Sequence, residues 1–288
     1  MTLQRPGSVL VERSRVNVDR TIEEDDLSEV TAYDPGTPSY IDLATSDLDA
    51  AKSFYTAMFG WDTEDSPLPQ GGVYTSFSKN SRTVAGGYTM NPQMANMGVP
   101  PHWATYVTVA NADAAAEAIT AAGGSLITQP FDVMTAGRMA VATDPTGATF
   151  SVWQPIESIG AYLVNEPGAL IWNELQTNDR TASKEFYGAI FGWSAQTSEM
   201  PTGEYTSFML GESPVAGMME IQPEWGPVPP NWSIYLAVAN CDAAIDKATS
   251  LGGSTVMGPM DVPDVGRFAL LQDPQGAMFY VMSAPDDG

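Results

Sequence analysis

Apolar and polar positions alternate from Tyr40 to Thr45, which predicts a strand, and Asp47 then stands where a helix N-cap is expected. Leu48, Ala51, Tyr55, Met58 and Phe59 recur at helical spacing, and Gly60 ends that run. Val73–Ser78 and Thr83–Tyr88 alternate again as strands. The pattern then repeats. Thr105–Val109 predicts a strand, and an alanine-rich helix begins near Asn111–Asp113 and ends at Gly123-Gly124. Further strands flank the DPTG turn at 144–147, where the Asp-Pro start and the glycine favour a tight reversal.

The whole arrangement is written twice. FYTAMFGW at 54–61 returns as FYGAIFGW at 186–193, within a longer match of 40–61 to 172–193. PHWATYVTVANADAA (101–115) lies over PNWSIYLAVANCDAA (230–244), and GRMAVATDPTGATF (137–150) over GRFALLQDPQGAMF (266–279). A repeat at this scale fixes the architecture before any motif is read. It gives an N-terminal extension at 1–36, a first unit at 37–155, a linker at 156–167 holding Gly160 and Pro167, and a second unit at 168–284. Each unit reads as strand, helix, three strands, twice over. The repeated aromatic blocks read as the closing turns of packing helices rather than as chemistry.

The 288 residues are enough for two ordinary cores. Twelve basic against 35 acidic residues give a net charge of −23, which disfavours nucleic acid and anionic membrane surfaces as partners. No run of 18 apolar residues and no signal-peptide core is present, so a cytoplasmic protein is expected. A single cysteine, Cys241, excludes an internal disulfide and a cysteine-based metal cage; it reads as a small apolar side chain.

Four βαβββ modules in tandem, with FY…FGW on the helix and DPxGAxF before the last strand, resemble the vicinal oxygen chelate superfamily. That group contains glyoxalase I, bleomycin-resistance proteins and extradiol dioxygenases. The resemblance covers about residues 38–284 and implies an α+β fold of two glyoxalase-like domains, with curled mixed sheets around one cavity each. It does not fix the reaction.

In metal-dependent members the resemblance implies ligands on the first and last strands of each module. The first-strand positions hold Tyr40, Ala104, Trp172 and Ser233, and the last-strand positions hold Ser151 and Tyr280. One histidine, His102, exists in the chain, whereas a two-histidine, one-carboxylate iron site needs two. An all-oxygen site using Asp42, or Glu174 with Glu220, is the minor alternative. The expectation is no metal and no cofactor.

Period-two alternation puts Asp42 beside Tyr40, and Glu174 beside Trp172, on the face that the resemblance turns toward the cavity. Burial against rings raises a carboxyl pKa toward neutrality, which suits a general acid or base. The competing and simpler reading is structural, with Asp42 and Glu174 paired to the matched arginines Arg138 and Arg267. Tyr106 and Tyr235 either donate to a substrate oxygen or are core tyrosines, and His102 is either a proton shuttle or an idle loop histidine. Trp103, Trp153, Trp232, Met218 and Met282 join Tyr40, Trp172, Ser233 and Tyr280 as candidate walls for a flat organic ligand. The second cavity is the more polar one, which singles out Glu174 and Glu220 as bases.

Two functions follow. One is a metal-independent lyase, isomerase or cyclase acting on a small aromatic or carbonyl-bearing molecule through an inward carboxylate. The other is a protein that sequesters an aromatic metabolite without turnover. A recurring inward acid tilts the choice toward the enzyme. A homodimer is possible, and the N-terminal extension reads as a loose arm, a strand-edge cover or a cavity lid.

Overall fold

A computed structural model describes residues 30–69, 71–200 and 203–285. The first unit forms one eight-stranded mixed sheet from β1 (Pro38–Thr45), β2 (Asp62–Pro67), β3 (Val73–Lys79), β4 (Arg82–Thr89), β5 (His102–Thr108), β6 (Ser125–Val133), β7 (Gly137–Thr143) and β8 (Thr149–Pro155). Their spatial order is β2-β3-β4-β1-β5-β8-β7-β6. The second unit repeats this order with β9 (Leu170–Thr177), β10 (Ser194–Met200), β11 (Gly203–Leu210), β12 (Ser213–Glu220), β13 (Asn231–Ala237), β14 (Ser254–Val262), β15 (Gly266–Gln272) and β16 (Met278–Ser283). The two modules of a unit meet antiparallel at β1–β5 or β9–β13. Within a module, the first strand runs parallel to the last. The result is the expected α+β fold of two curled glyoxalase-type sheets.

The main helices are α1 (Leu48–Phe59), α3 (Ala112–Ala121), α4 (Arg180–Phe191) and α5 (Cys241–Ser250); a single turn, α2 (Pro92–Asn96), precedes β5. Asp47, Asn111, Asp179 and Asn240 each cap the free backbone N–H groups of their helix start through a side-chain oxygen. Gly60 and Gly192 end α1 and α4 at φ 70° and 71°, a left-handed conformation that glycine adopts without a Cβ penalty.

Each helix covers the outward-facing Ile41/Leu43 type of strand position, leaving Tyr40 and Asp42 on the opposite face. The helix layers are shared between units. One core joins Ile41, Leu43, Phe54, Tyr55 and Phe77 of the first unit to Ile234, Leu236, Ala244, Leu271 and Phe279 of the second. The other joins Val107, Ile119, Phe150 and Val152 to Phe186, Tyr187, Phe208 and Trp232. Thus each core unites the first module of one unit with the second module of the other.

The repeated aromatic blocks make these junctions. Tyr55 packs edge-on to Phe54 and Trp103, and its ring meets Phe279 at 5.6 Å; Tyr187 does the same with Phe186, Trp232 and Phe150, also at 5.6 Å from the last. Trp61 Nε1 donates to the carbonyl of Gly168, and Trp193 Nε1 to that of Gly36, each at 2.7 Å. Trp103 and Trp232 donate to the Tyr55 and Tyr187 hydroxyls at 3.0 and 2.8 Å. Trp103, Trp232 and the fully buried Met218 therefore belong to the helix side, which corrects their assignment as cavity walls. Alternation decides the matter: Trp103 and Trp232 sit one residue out of phase with Ala104 and Ser233.

Residues 30–36 run along the linker, with Tyr33 donating to the Ala161 carbonyl at 2.7 Å. The lid or arm readings of residues 1–29 lie outside the described residues. Among the described residues no helix is long and apolar enough to cross a membrane.

Candidate functional site

On the face away from the helices, Asp42 of β1 sits between Ala104 of β5 and Gly86 of β4. It is 3% exposed. Tyr106 donates its hydroxyl to Asp42 Oδ2 at 2.8 Å, and Oδ1 has no hydrogen-bond partner. Tyr40, Tyr74 and Tyr88 complete the surround, and Tyr74 donates to the Tyr40 hydroxyl at 3.1 Å. Burial pushes the Asp42 carboxyl up to about 7, against smaller opposing contributions from Tyr106 and Tyr74. Trp153, Met139 and Tyr106 form a small apolar cluster beside it, with Trp153 Nε1 donating to the Ser158 carbonyl.

The second unit builds the same site. Glu174 of β9 lies between Ser233 of β13 and Gly217 of β12, and is 4% exposed. Tyr235 donates to Glu174 Oε1 at 3.0 Å, and burial raises the carboxyl to about 7, opposed by Tyr235 and Tyr205. Tyr280 stacks on Tyr235 with ring centres 4.3 Å apart and accepts a hydrogen bond from Gln176 at 3.1 Å. Trp172 Nε1 donates to the Tyr205 hydroxyl at 2.8 Å. Burial holds all these phenols above their ordinary range, so they are neutral hydrogen-bond donors.

Two glycines create the space. A Cβ at Gly86 would fall 1.9 Å from the Tyr74 hydroxyl, and one at Gly217 would fall 2.0 Å from that of Tyr205. Each glycine stands directly across from the carboxylate, and the tyrosine of the next strand lies over the glycine. Tyr74, Tyr205, Gly86 and Gly217 were not singled out by sequence reasoning. Their signal is in the repeat: YTSF occurs at 74–77 and 205–208, and Ala-Gly at 85–86 and 216–217.

Several expectations are corrected. Arg138 does not pair with Asp42; it binds Asp113 through two nitrogens at 2.8 and 2.9 Å and Asp132 at 2.8 Å, on the exposed side of α3. Arg267 repeats this with Asp242 and Asp261. The β7 and β15 arginines stand one residue out of phase with the inward positions Met139 and Phe268, so they cannot reach the buried acids. Glu220 is exposed at the end of β12 and pairs with Arg180 at 3.2 Å, away from Glu174. His102 lies at the strand entrance with Nδ1 2.8 Å from the Pro100 carbonyl. Ser233 donates to Asn231 at 3.0 Å, and Met282 is half-buried on β16.

The residues present do not fit a divalent cation. Around Asp42 the neighbours are neutral phenols, an alanine and a glycine; around Glu174 they are phenols, an indole and a serine. Each site offers one carboxylate and no imidazole, whereas such ions need several converging donors. Among the described residues no cluster of three or more His, Cys, Asp or Glu side chains forms elsewhere.

Comparison with known proteins agrees with the fold. "Putative glyoxylase CFP32" of Mycobacterium tuberculosis is 44% identical over 252 residues, spanning 87% of this chain and 95% of that protein. "Anthracycline biosynthesis protein DnrV" of Streptomyces peucetius is 36% identical over 263 residues, spanning 88% and 95%. Among solved structures, the Mn(II)-bound glyoxalase from Novosphingobium aromaticivorans superposes with a TM-score of 0.60 at 13% identity, covering 86% of this chain and 82% of that one. The 2,2',3-trihydroxybiphenyl 1,2-dioxygenase of Sphingomonas wittichii RW1 gives 0.60 at 14%, covering 87% and 91%; such low identity speaks for the fold alone. The family profile matches residues 37–152 and 169–281, and the chain belongs to the Glyoxalase/Bleomycin resistance protein/Dioxygenase superfamily.

Proposed function

We propose that the protein is a metal-independent lyase, isomerase or cyclase for a small aromatic, carbonyl-bearing molecule, using an inward carboxylate as acid and base. One observation carries this reading: each unit buries a carboxylate among neutral tyrosines with no cation to pair it. Burial alone brings both close to neutrality, where a carboxyl can take and return a proton at working pH. The matched arginines pair elsewhere, and whereas the buried turn acids Asp144 and Asp273 are each held by backbone N–H groups, Asp42 and Glu174 face phenol hydroxyls. The tyrosine hydroxyls suit a carbonyl oxygen that gains charge as a neighbouring C–H bond breaks. The aromatic walls and the anthracycline name of one relative favour a flat ring system.

The test uses a hydroxyanthraquinone bearing a ketone side chain as probe. Fluorescence quenching reports binding, and deuterium uptake next to the ketone in D2O reports proton abstraction. Deuterium uptake by the native protein, lost in the Asp42→Asn, Glu174→Gln double variant with binding retained, is the expected result. Binding of equal strength with no uptake by the native protein favours sequestration instead.

A further inference from the structure

A phenol has one proton to give, so a tyrosine that gives it to a carboxylate has none left for a substrate oxygen. Tyr106 gives its proton to Asp42 Oδ2 at 2.8 Å, and Tyr235 gives its own to Glu174 Oε1 at 3.0 Å. Strand register brings each tyrosine to its acid. Ala104 stands opposite Asp42, and Tyr106, two residues on, stands opposite Tyr40. Ser233 and Tyr235 hold the same places against Glu174 and Trp172. A small residue opposite the acid leaves the diagonal open, and a tyrosine is long enough to cross it.

The buried turn acids use both of their oxygens. Asp144 Oδ1 accepts from the backbone of Gly147 and Ala148, and Oδ2 from Tyr187. Asp273 does the same with Gly276, Ala277 and Tyr55. Asp42 uses one. Its Oδ1 has no hydrogen-bond partner although the residue is 3% exposed, and among the described residues no other carboxylate oxygen is so placed. Tyr74 stands near enough to lower the Asp42 pKa, but its proton goes to Tyr40. A buried acceptor without a partner costs stability, and a proton brought to it by a ligand removes that cost.

We propose that Tyr106 is a positioning residue: it ties up Asp42 Oδ2 and so makes Oδ1 the oxygen that takes a proton. In turnover the step balances. Oδ1 takes the proton of a C–H bond beside the substrate carbonyl, the electron pair of that bond passes into a C=C bond, and the carbonyl oxygen gains the negative charge. Asp42 is then a neutral acid with its O–H on Oδ1, while Oδ2 is the carbonyl oxygen and still accepts from Tyr106. Return of the proton to carbon restores the carboxylate. Tyr106 keeps the same bond throughout, so the substrate oxygen falls to the other phenols of the site. The source of the proton rests on the acid–base reading above; the choice of oxygen rests on the hydrogen bond alone.

The groups acting on Asp42 are Tyr40 on β1, Tyr74 on β3, Tyr88 on β4 and Tyr106 on β5, all of them phenols. The infrared C=O stretch of protonated Asp42, assigned with Asp42→Asn, reads the arrangement without substrate. A hydrogen bond to the carbonyl oxygen lowers this stretch, so Tyr106→Phe is expected to raise its frequency. The same variant is expected to raise the titration midpoint by about one pH unit, because a bond that favours the charged form is lost. Tyr235→Phe should move neither. Should Tyr106→Phe not fold, a fluorinated tyrosine in place of Tyr106, being a stronger donor, is expected to lower both. A stretch that stays put on changing Tyr106 places the acid proton on Oδ2 and overturns the proposal.

The deuterium assay above, run in Glu174→Gln with an ethyl ketone on the probe, reads the consequence in turnover. Uptake is expected at one of the two CH2 hydrogens, and at both in the added Tyr106→Phe variant, at least about tenfold more slowly. Uptake that Tyr106→Phe leaves unchanged overturns the positioning role and leaves the acid–base reading standing. No uptake even by the native protein, with the stretch moved as expected, sinks the acid–base reading and supports Oδ1 as the protonated oxygen.

Discussion

The hydroxyl of Tyr55, on the first helix of the first unit, donates to Asp273 Oδ2 in the DPQG turn of the second at 3.0 Å. Tyr187 and Asp144 repeat the bond in the opposite sense, also at 3.0 Å. Asp273 further accepts the backbone N–H groups of Gln275, Gly276 and Ala277 through Oδ1. Tyr55→Phe is expected to cost about 1–2 kcal/mol, because a buried acceptor loses its partner, and Asp273→Ala more, because the turn loses its staple. Urea unfolding of each variant measures this. Tyr55→Phe with native stability contradicts the stitch.

Cutting the chain within residues 156–167 separates Phe54 and Tyr55 from Phe279, and Phe186 and Tyr187 from Phe150. Burial of a phenylalanine is worth roughly 3–5 kcal/mol by truncation, a large share of a domain's net stability. Neither fragment alone should unfold cooperatively as a monomer, and mixing the two should restore a single transition in calorimetry. A fragment that melts sharply on its own as a monomer sinks this expectation.

Both inward carboxyls are raised, from 3.8 to about 7 for Asp42 and from 4.5 to about 7 for Glu174. The folded state then holds protons that the unfolded state sheds, so their contribution is fully present below about pH 4. It is lost as pH climbs through 7 and is constant beyond. The loss is about 4 kcal/mol for Asp42 and about 3 kcal/mol for Glu174 at most. Asp42→Asn and Glu174→Gln should therefore flatten the fall in stability between pH 5 and 8. Denaturant midpoints at the two pH values, compared with the native protein, supply the check.

Gly86→Ala forces a methyl into the Tyr74 hydroxyl. Overpacking of this kind costs about 1–3 kcal/mol. Adding Tyr74→Ala should recover much of that loss, a coupling that a double-mutant cycle reads directly. Additive effects of the two changes would show that the glycine is not there for the ring.

Arg138→Gln and Arg267→Gln should leave the titration of Asp42 and Glu174, followed in the infrared at the carboxylic acid C=O stretch, unmoved. Their partners are the exposed Asp113, Asp132, Asp242 and Asp261. A shifted carboxyl midpoint in either variant contradicts this geometry.

What the sequence made legible was whatever local pattern dictates. Leu48 to Phe59 carries helical periodicity between an Asp cap and a glycine stop, and the DPxG turns carry their own geometry. The strand β2, DTEDSP, has no apolar alternation because it is exposed along nearly its whole length and held by its ladder to β3. Alternation puts Asp42 beside Tyr40 and Glu174 beside Trp172, and the family resemblance turns that face inward, yet the arginine partners offered for them were wrong. Whether Arg138 meets Asp42 or Asp113 depends on how β7 sits beside α3, which no single segment encodes. The Tyr74–Gly86–Asp42 arrangement needs the parallel register of β1 against β4, a contact between distant segments.

The crossed cores bear on how such a chain came to have two different sites. A single-unit ancestor, lacking the other copy's Phe279 and Asp273, would complete its packing by pairing with a twin. Both sites of that pair would have to be identical, since one gene wrote them. Joining the copies end to end lifts the constraint. A tyrosine in one copy and a tryptophan in the other can then stand at the same strand position, and each site is free to change without undoing its neighbour.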